Sequence, residues 1–412
     1  MNRYKLTNGI DVVIKNNKNT PRTAIVLYIK IEKDETKAGL YYLITQLLFQ
    51  GTKNRTSAKL AEELDENAID LLIEKKTDYI RVKLLCLNED VEYALDILGD
   101  IIENSTFEDL EKEKIKIKGE FEADLDSAKI QAQDEYYRTI FENHPYGIGR
   151  KEIIKQIDTI NKKDLVEAYN EIKYCFAKNI SVAGDYDEEK LIKLLNKNLN
   201  FLKTEKMENK RKLVEELTEN KLSVISKEDA NQAQIFQGWL VPSVYSDEYA
   251  SIIVLNTILG FSGLSSRLFM ELREKQGLAY TVRSVYEPFK LKADFFVYIA
   301  TEPKNIRTCL EGFEKEINKI VTELISDEEL ENAKNNAIGK RQFYKETNLL
   351  EASLNGYYEF LGLGFNFEEK LIDRMKNITK NDIIKAAEIC FSKPNALCIL
   401  APEKYLKEAE LL

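Results

Sequence analysis

Ile160-Asn161-Lys162-Lys163-Asp164-Leu165-Val166-Glu167-Ala168 is echoed 218 residues later by Ile378-Thr379-Lys380-Asn381-Asp382-Ile383-Ile384-Lys385-Ala386. Each copy runs on to a Cys-Phe pair (Cys175-Phe176, Cys390-Phe391) and then to a short apolar run that reads as a strand, Asn179 to Ala183 and Ala396 to Ala401. The echo continues outward. Leu110-x3-Lys114-x4-Gly119 matches Leu330-x3-Lys334-x4-Gly339, and Asp78-Tyr79-Ile80 matches Asp294-Phe295-Phe296. Nearly constant offsets mean one ancestral unit of about 200 residues, duplicated, with a period far too long for a solenoid. Two homologous domains are therefore expected, at 1–205 and 221–412. The linker at 206–220 falls in the polar stretch Lys203 to Asn220 (KTEKMENKRKLVEELTEN).

Within each copy, strand-like runs mix with helical ones. Tyr4 to Leu6, the turn Thr7-Asn8-Gly9 and Ile10 to Ile14 read as a hairpin, and Thr23 to Ile31 as a strand rich in β-branched residues. Leu40, Leu43, Leu47 and Leu48 recur at helical spacing over 37–50; 57–65 and 89–103 also read as helices, and 68–75 and 78–87 as strands. Over 107–141, Lys114-Ile115-Lys116-Ile117-Lys118 alternates like a strand, but the Glu/Lys/Ala-rich flanks and the lack of proline favour one long helix, ending before Asn143-His144-Pro145-Tyr146-Gly147. The pattern predicts an α+β fold, two mostly antiparallel sheets with helices packed on them, rather than a doubly wound parallel sheet. Phosphate-binding glycine motifs in a strand-to-helix setting are missing, so nucleotide binding has no support.

Composition narrows the chemistry. The 412 residues carry 60 Lys+Arg against 70 Asp+Glu, a net charge of −10, which offers no electrostatic footprint for nucleic acid or an anionic membrane. The opening has no apolar signal region, no apolar run is long enough to span a bilayer, and five cysteines without a C-x-x-C pair read as reduced thiols; a cytoplasmic protein is expected. His144 is the single histidine. A site needing two or three imidazoles cannot be built from this chain, and a histidine triad would need His144 as its base, although no Ser or Cys with an adjacent Asp suggests one.

Against that background stands Gly39-Leu40-Tyr41-Tyr42-Leu43-Ile44-Thr45-Gln46-Leu47-Leu48-Phe49-Gln50-Gly51-Thr52. It resembles the signature helix of the pitrilysin/mitochondrial processing peptidase family of zinc peptidases, G-[IL]-x-H-x-x-E-H-[ML]-L-F-x-G-T. The frame is kept at Gly39, Leu40, Leu47, Leu48, Phe49, Gly51 and Thr52. The chemistry is not: Tyr42 and Gln46 stand at the two zinc-binding histidine positions and Thr45 at the general-base glutamate. Two imidazoles at i and i+4 share a helix face and grip one metal. A phenol and a carboxamide are poor substitutes, and a threonine hydroxyl is no base near neutral pH. On the long helix, Glu113 and Glu120 are seven residues apart and share a face. The resemblance puts Glu120 at the third zinc ligand and Glu113 at its supporting carboxylate; taken alone, both fit a solvated, ion-paired face. His144-Pro145-Tyr146-Gly147 resembles the family's loop after that helix, where the histidine is no ligand.

In the second copy, Gly260-Phe261-Ser262-Gly263-Leu264-Ser265-Ser266-Arg267-Leu268-Phe269 and Leu272-Arg273-Glu274-Lys275-Gln276-Gly277-Leu278-Ala279-Tyr280 resemble the same family's G-x-x-S-S-R-L-F…L-R-E-x-x-G-L-A-Y segment. The resemblance implies that Arg273 and Tyr280 reach the zinc site of a facing half and bind the substrate backbone and the attacked carbonyl. The plainer alternative is an Arg273 paired with a local carboxylate and a Tyr280 packed in a sheet.

Together these imply a non-zinc subunit, half of a clamshell chamber, with no cofactor of its own. A homologous chain carrying H-x-x-E-H would supply zinc and base, and the substrates would be unfolded peptides. The alternative is a catalytically inert structural or peptide-binding scaffold of the same fold. A homodimer of the isolated chain is left open.

Overall fold

A computed structural model describes residues 1–204 and 210–412. Residue 205 of the expected first domain and 206–209 of the expected linker lie outside the described residues. Six strands, β1 (Asn2–Lys5), β2 (Asp11–Asn16), β3 (Arg22–Lys30), β4 (Asp70–Lys75), β5 (Tyr79–Leu87) and β6 (Lys178–Gly184), make one sheet in the order β1-β2-β6-β3-β5-β4. Five more, β7 (Lys221–Ser226), β8 (Ala233–Val241), β9 (Ala279–Pro288), β10 (Ala293–Thr301) and β11 (Asn395–Ala401), make a second in the order β7-β11-β8-β10-β9. Setting β1 aside, the two orders are the same, so the duplication read from sequence is a duplication of topology. One pair in each sheet is parallel, β2 with β6 and β7 with β11, and the rest are antiparallel. The α+β class expected from sequence is what forms. Central β3 and β6 are buried along nearly their whole length, which is why they read as continuous apolar runs, whereas β5 buries every second residue.

The repeated motif that opened the sequence reading has a local cause. Asn161 and Thr379 each cap a helix, Lys162–Tyr174 and Lys380–Phe391, and in each the aspartate three residues on (Asp164, Asp382) reaches back to the cap's own N–H. Such a reciprocal box satisfies two backbone donors that a helix start otherwise leaves open.

One expectation is corrected. The single helix over 107–141 is two, Leu110–Asp124 and Ala128–Ile140. The chain turns at Leu125 to Ser127, and Ser127 caps the second helix. The Lys/Ile alternation that suggested a strand lies on the first helix, where Ile117 is buried and Ile115 exposed.

The described residues form two compact units. The first comprises Met1–Glu120, Glu152–Arg211 and Gln342–Glu368; the second comprises Phe121–Lys151, Lys212–Arg341 and Glu369–Leu412. The expected boundaries follow the duplication, and the units follow packing. In the first unit the helix Asn348–Leu361 lies on β3 and β6, where the Tyr28 hydroxyl donates to the Ser353 carbonyl (2.7 Å) and the Asn179 amide to that of Gly356 (2.9 Å). In the second unit Ala128–Ile140 lies on β8 and β11, where Ala132, Tyr136 and Ile140 join Phe236, Phe296, Tyr298, Cys398 and Leu400 in one core. Gly238 on β8 is required there, because a Cβ would overlap the Tyr136 hydroxyl.

Candidate functional site

In the first unit the helix Leu40–Leu47 turns Leu40, Leu43, Ile44 and Leu47 into the core, so Tyr42 and Gln46 stand on its half-buried side. Thr45 is buried, and its hydroxyl donates to the carbonyl of Tyr42 (2.7 Å). That bond turns the side chain back onto its own helix. The Gln46 amide lies 3.4 Å from the same hydroxyl. Four residues beyond Gln46, the Gln50 amide donates to Glu113 (3.1 Å), which joins the altered helix to Leu110–Asp124. The sequence-predicted residues Tyr42, Gln46 and Glu113 therefore do gather in one region, with Glu120 exposed one turn pair further along. As donors for zinc they do not fit. Phenol, carboxamide and hydroxyl replace the ligands and the base, and among the described residues no group of three or more His, Cys, Asp or Glu is placed to hold a metal ion.

Sequence reading missed one member. Lys116 lies three residues after Glu113, and its ammonium pairs with the Glu113 carboxylate at 3.0 Å. That hydrogen bond raises the pKa of Lys116, and the charges of Glu113 and Glu120 and the phenol of Tyr42 act in the same direction against desolvation. The i, i+3, i+7 spacing of Glu113, Lys116 and Glu120 was the available signal.

His144 belongs to the second unit. Its Nδ1 accepts from the Tyr146 N–H (3.1 Å), and its Nε2 lies 2.9 Å from the Lys212 carbonyl, so Nε2 carries the proton. The ring staples a loop, as expected of a structural histidine.

The second candidate region, also in that unit, is Gly260 to Tyr280. Two π-turns, Thr257–Phe261 and Phe269–Lys275, wind wider than an α-helix, a form common at functional sites. The segment is anchored from beneath by buried Leu268 and Leu272, and sideways by Arg267, which grips Glu329 with two bonds of 2.7 and 2.9 Å. Gly277, with φ +63°, ends the second π-turn, its N–H on the Arg273 carbonyl and that of Leu278 on Leu272. The chain then enters β9, the edge strand, at Ala279. This brings Arg273 and Tyr280 together. The guanidinium sits 4.7 Å from the Phe269 ring centroid and 4.6 Å from that of Tyr280, and it donates to the Tyr280 carbonyl at 2.6 Å. Neither plainer alternative holds. Nearby Glu271 is taken by Lys315 and Lys275, whose hydrogen bonds hold its carboxyl down at about 2, and Arg273 has no ion-pair partner among the described residues. Tyr280 is 79% exposed rather than packed.

The model for "Insulinase (Peptidase family M16)" matches residues 11–151, and the model for "Peptidase M16 inactive domain" matches 159–337. An uncharacterized zinc protease of Rickettsia felis is 28% identical, over 97% of each chain. A Helicobacter pylori protein named a non-peptidase homolog, YmxG, is 26% identical over 86% of this chain and 82% of that one. The crystal structure of a peptidase M16 inactive domain from Pseudomonas fluorescens superposes with a TM-score of 0.87 at 18% identity, covering 97% of this chain and 98% of that one, which shows a shared fold. With one M16 model matched to the altered helix and the other running through the Arg273/Tyr280 segment, the resemblance read from sequence is borne out: the chain belongs to the M16, or insulinase, family of peptidases.

Proposed function

We propose that this chain is the metal-free subunit of a two-chain M16 peptidase that cleaves unfolded peptides, and that it lends Arg273 and Tyr280 to the active site of a homologous partner. The partner carries H-x-x-E-H and supplies zinc and base. The observation that carries this reading is the contrast between two segments. The altered helix has no set of zinc donors, whereas the Arg273 guanidinium lies against the rings of Phe269 and of the exposed Tyr280. A guanidinium and a phenol held ready, with N–H and O–H groups to spare, suit the carbonyl oxygen of a peptide as it gains negative charge. Holding the cation in advance on the Tyr280 carbonyl limits the ordering that binding would otherwise cost. Five unpaired cysteines and the lack, among the described residues, of any helix long and apolar enough to cross a membrane support a cytoplasmic place for it.

The test is reconstitution with the zinc-bearing M16 chain of the same cell and an unfolded reporter peptide. Arg273→Ala or Tyr280→Phe is expected to lower kcat/KM by about 10²–10³-fold, the usual effect of removing one oxyanion donor. The two chains should co-elute as before. Full turnover in both variants would overturn the reading. A second reading, an inert scaffold of the same fold, is favoured by the name of the Helicobacter relative. It predicts that adding this chain leaves the partner's turnover unchanged.

A further inference from the structure

Glu113 is only 2% exposed, and a buried carboxylate needs a cation or a full set of donors. It receives the Gln50 amide at 3.1 Å on one oxygen and the Lys116 ammonium at 3.0 Å on the other. The amide comes from the segment that follows the altered helix. The ammonium comes from Glu113's own helix, on the stripe that also carries Glu120. The Lys116 side chain is itself 53% exposed, so its ammonium closes the buried Glu113 carboxylate from the solvent side of the altered helix.

From this geometry we infer that Lys116 is a built-in cation that stands in for a metal: it neutralises the buried Glu113 carboxylate beside the altered helix and disfavours a divalent ion there. The inference rests on the reading of this chain as metal-free, and adds what keeps it so. With Tyr42 and Gln46 in place of imidazoles there is no metal ligand pair, and Lys116 supplies the positive charge that the buried Glu113 carboxylate requires. A zinc ion arriving there would meet a resident ammonium, and the two cations would compete for the same oxygens.

The consequence is that three substitutions build a weak zinc site and a fourth, at Lys116, strengthens it. The variant Tyr42→His/Thr45→Glu/Gln46→His, with Lys116 kept, is expected to bind Zn²⁺ about 10- to 100-fold more weakly than the same variant with Lys116→Ala, a difference of the size that neighbours of metal ligands exert. Zinc titration of the purified chain by calorimetry, with metal content after dialysis, reads it directly. Equal affinities, or no binding by either variant, would overturn the inference. A second measurement covers the event that the fourfold variant does not fold. In the otherwise native chain, Lys116→Met should lower Tm by about 2–4 °C. Adding Glu113→Gln to it should recover most of that loss, because the carboxylate that needed the cation is gone. An unchanged Tm in Lys116→Met would equally overturn it. Neither readout involves a partner or peptide cleavage, so failure here is distinct from failure of the proposed function.

Discussion

Asp78 and Asp294 occupy the same place in the duplicated sequence, and both are buried, yet the fold satisfies them differently. Asp78 accepts from the Arg211 guanidinium at 2.5 Å, an ion pair within the first unit. Asp294 accepts from the Tyr136 hydroxyl at 2.7 Å, and its other oxygen is without a hydrogen-bond partner. Burial pushes the Asp294 carboxyl well above the usual range; the Tyr136 bond opposes this, and the charge of Glu287 adds to it. The folded chain thus keeps a proton that the unfolded chain gives up near pH 4. The associated stability is fully present below that pH and is lost as pH rises toward the folded value, by up to about 1.4 kcal/mol per pH unit. Asp294→Asn has nothing to titrate. In urea unfolding at pH 5 and pH 8 the variant's advantage over the native chain should grow with pH; a constant difference would show that Asp294 is ionised in the fold. The partners of these two aspartates were not legible in the sequence, since Arg211 and Tyr136 come from distant segments that only tertiary packing brings in.

At the scale of elements, legibility followed periodicity. The individual strand runs and the altered helix were readable because each carries its own pattern of period 2 or 3.6, whereas the order of the strands in each sheet is set by tertiary packing. The break at Leu125 to Ser127 and the π-turns were not, because a turn of one extra residue leaves little trace in a window of apolar spacing. The Gly260–Tyr280 segment was found by its motif, and the structure supplies its mechanics: the second π-turn ends on Gly277, three residues before Tyr280. A left-handed residue there fixes how the chain leaves the turn, and therefore where the Tyr280 ring meets Arg273. Space is not the constraint, since nothing lies within 4 Å of a Cβ at Gly277. Backbone conformation is, and Gly277→Ala should cost about 1 kcal/mol in thermal unfolding, with Gly277→Asn costing less. If position 277 sets the Arg273/Tyr280 pair, cleavage by the reconstituted enzyme should follow the same order: native, Asn variant, Ala variant. An Ala variant as stable as the native chain would show that the positive φ is no constraint.

For the whole molecule, the duplication raises the question of whether either half is a folding unit. Packing predicts that neither contiguous half is. Helix Asn348–Leu361 is encoded in the second half but buries Ala352, Tyr358 and Leu361 within the first unit, with Gly356 so close to Tyr28 that a Cβ would stand 2.7 Å from its ring. Helix Ala128–Ile140 is encoded in the first half and completes the core over β8 and β11. A fragment of residues 1–211 therefore leaves β3 and β6 uncovered, and exposes Tyr136 and Ile140 as well. Each large apolar side chain left bare forfeits about 1.5–3 kcal/mol, and a few of these amount to a domain's whole net stability. Fragments 1–211 and 212–412 made separately should bind a hydrophobic dye and lack near-ultraviolet circular dichroism. Co-expressed, they should co-purify and recover the native signal, because each brings the helix that the other's sheet lacks. Independent, cooperative unfolding of fragment 1–211 alone would show that the helix exchange is dispensable and that the ancestral unit still folds by itself.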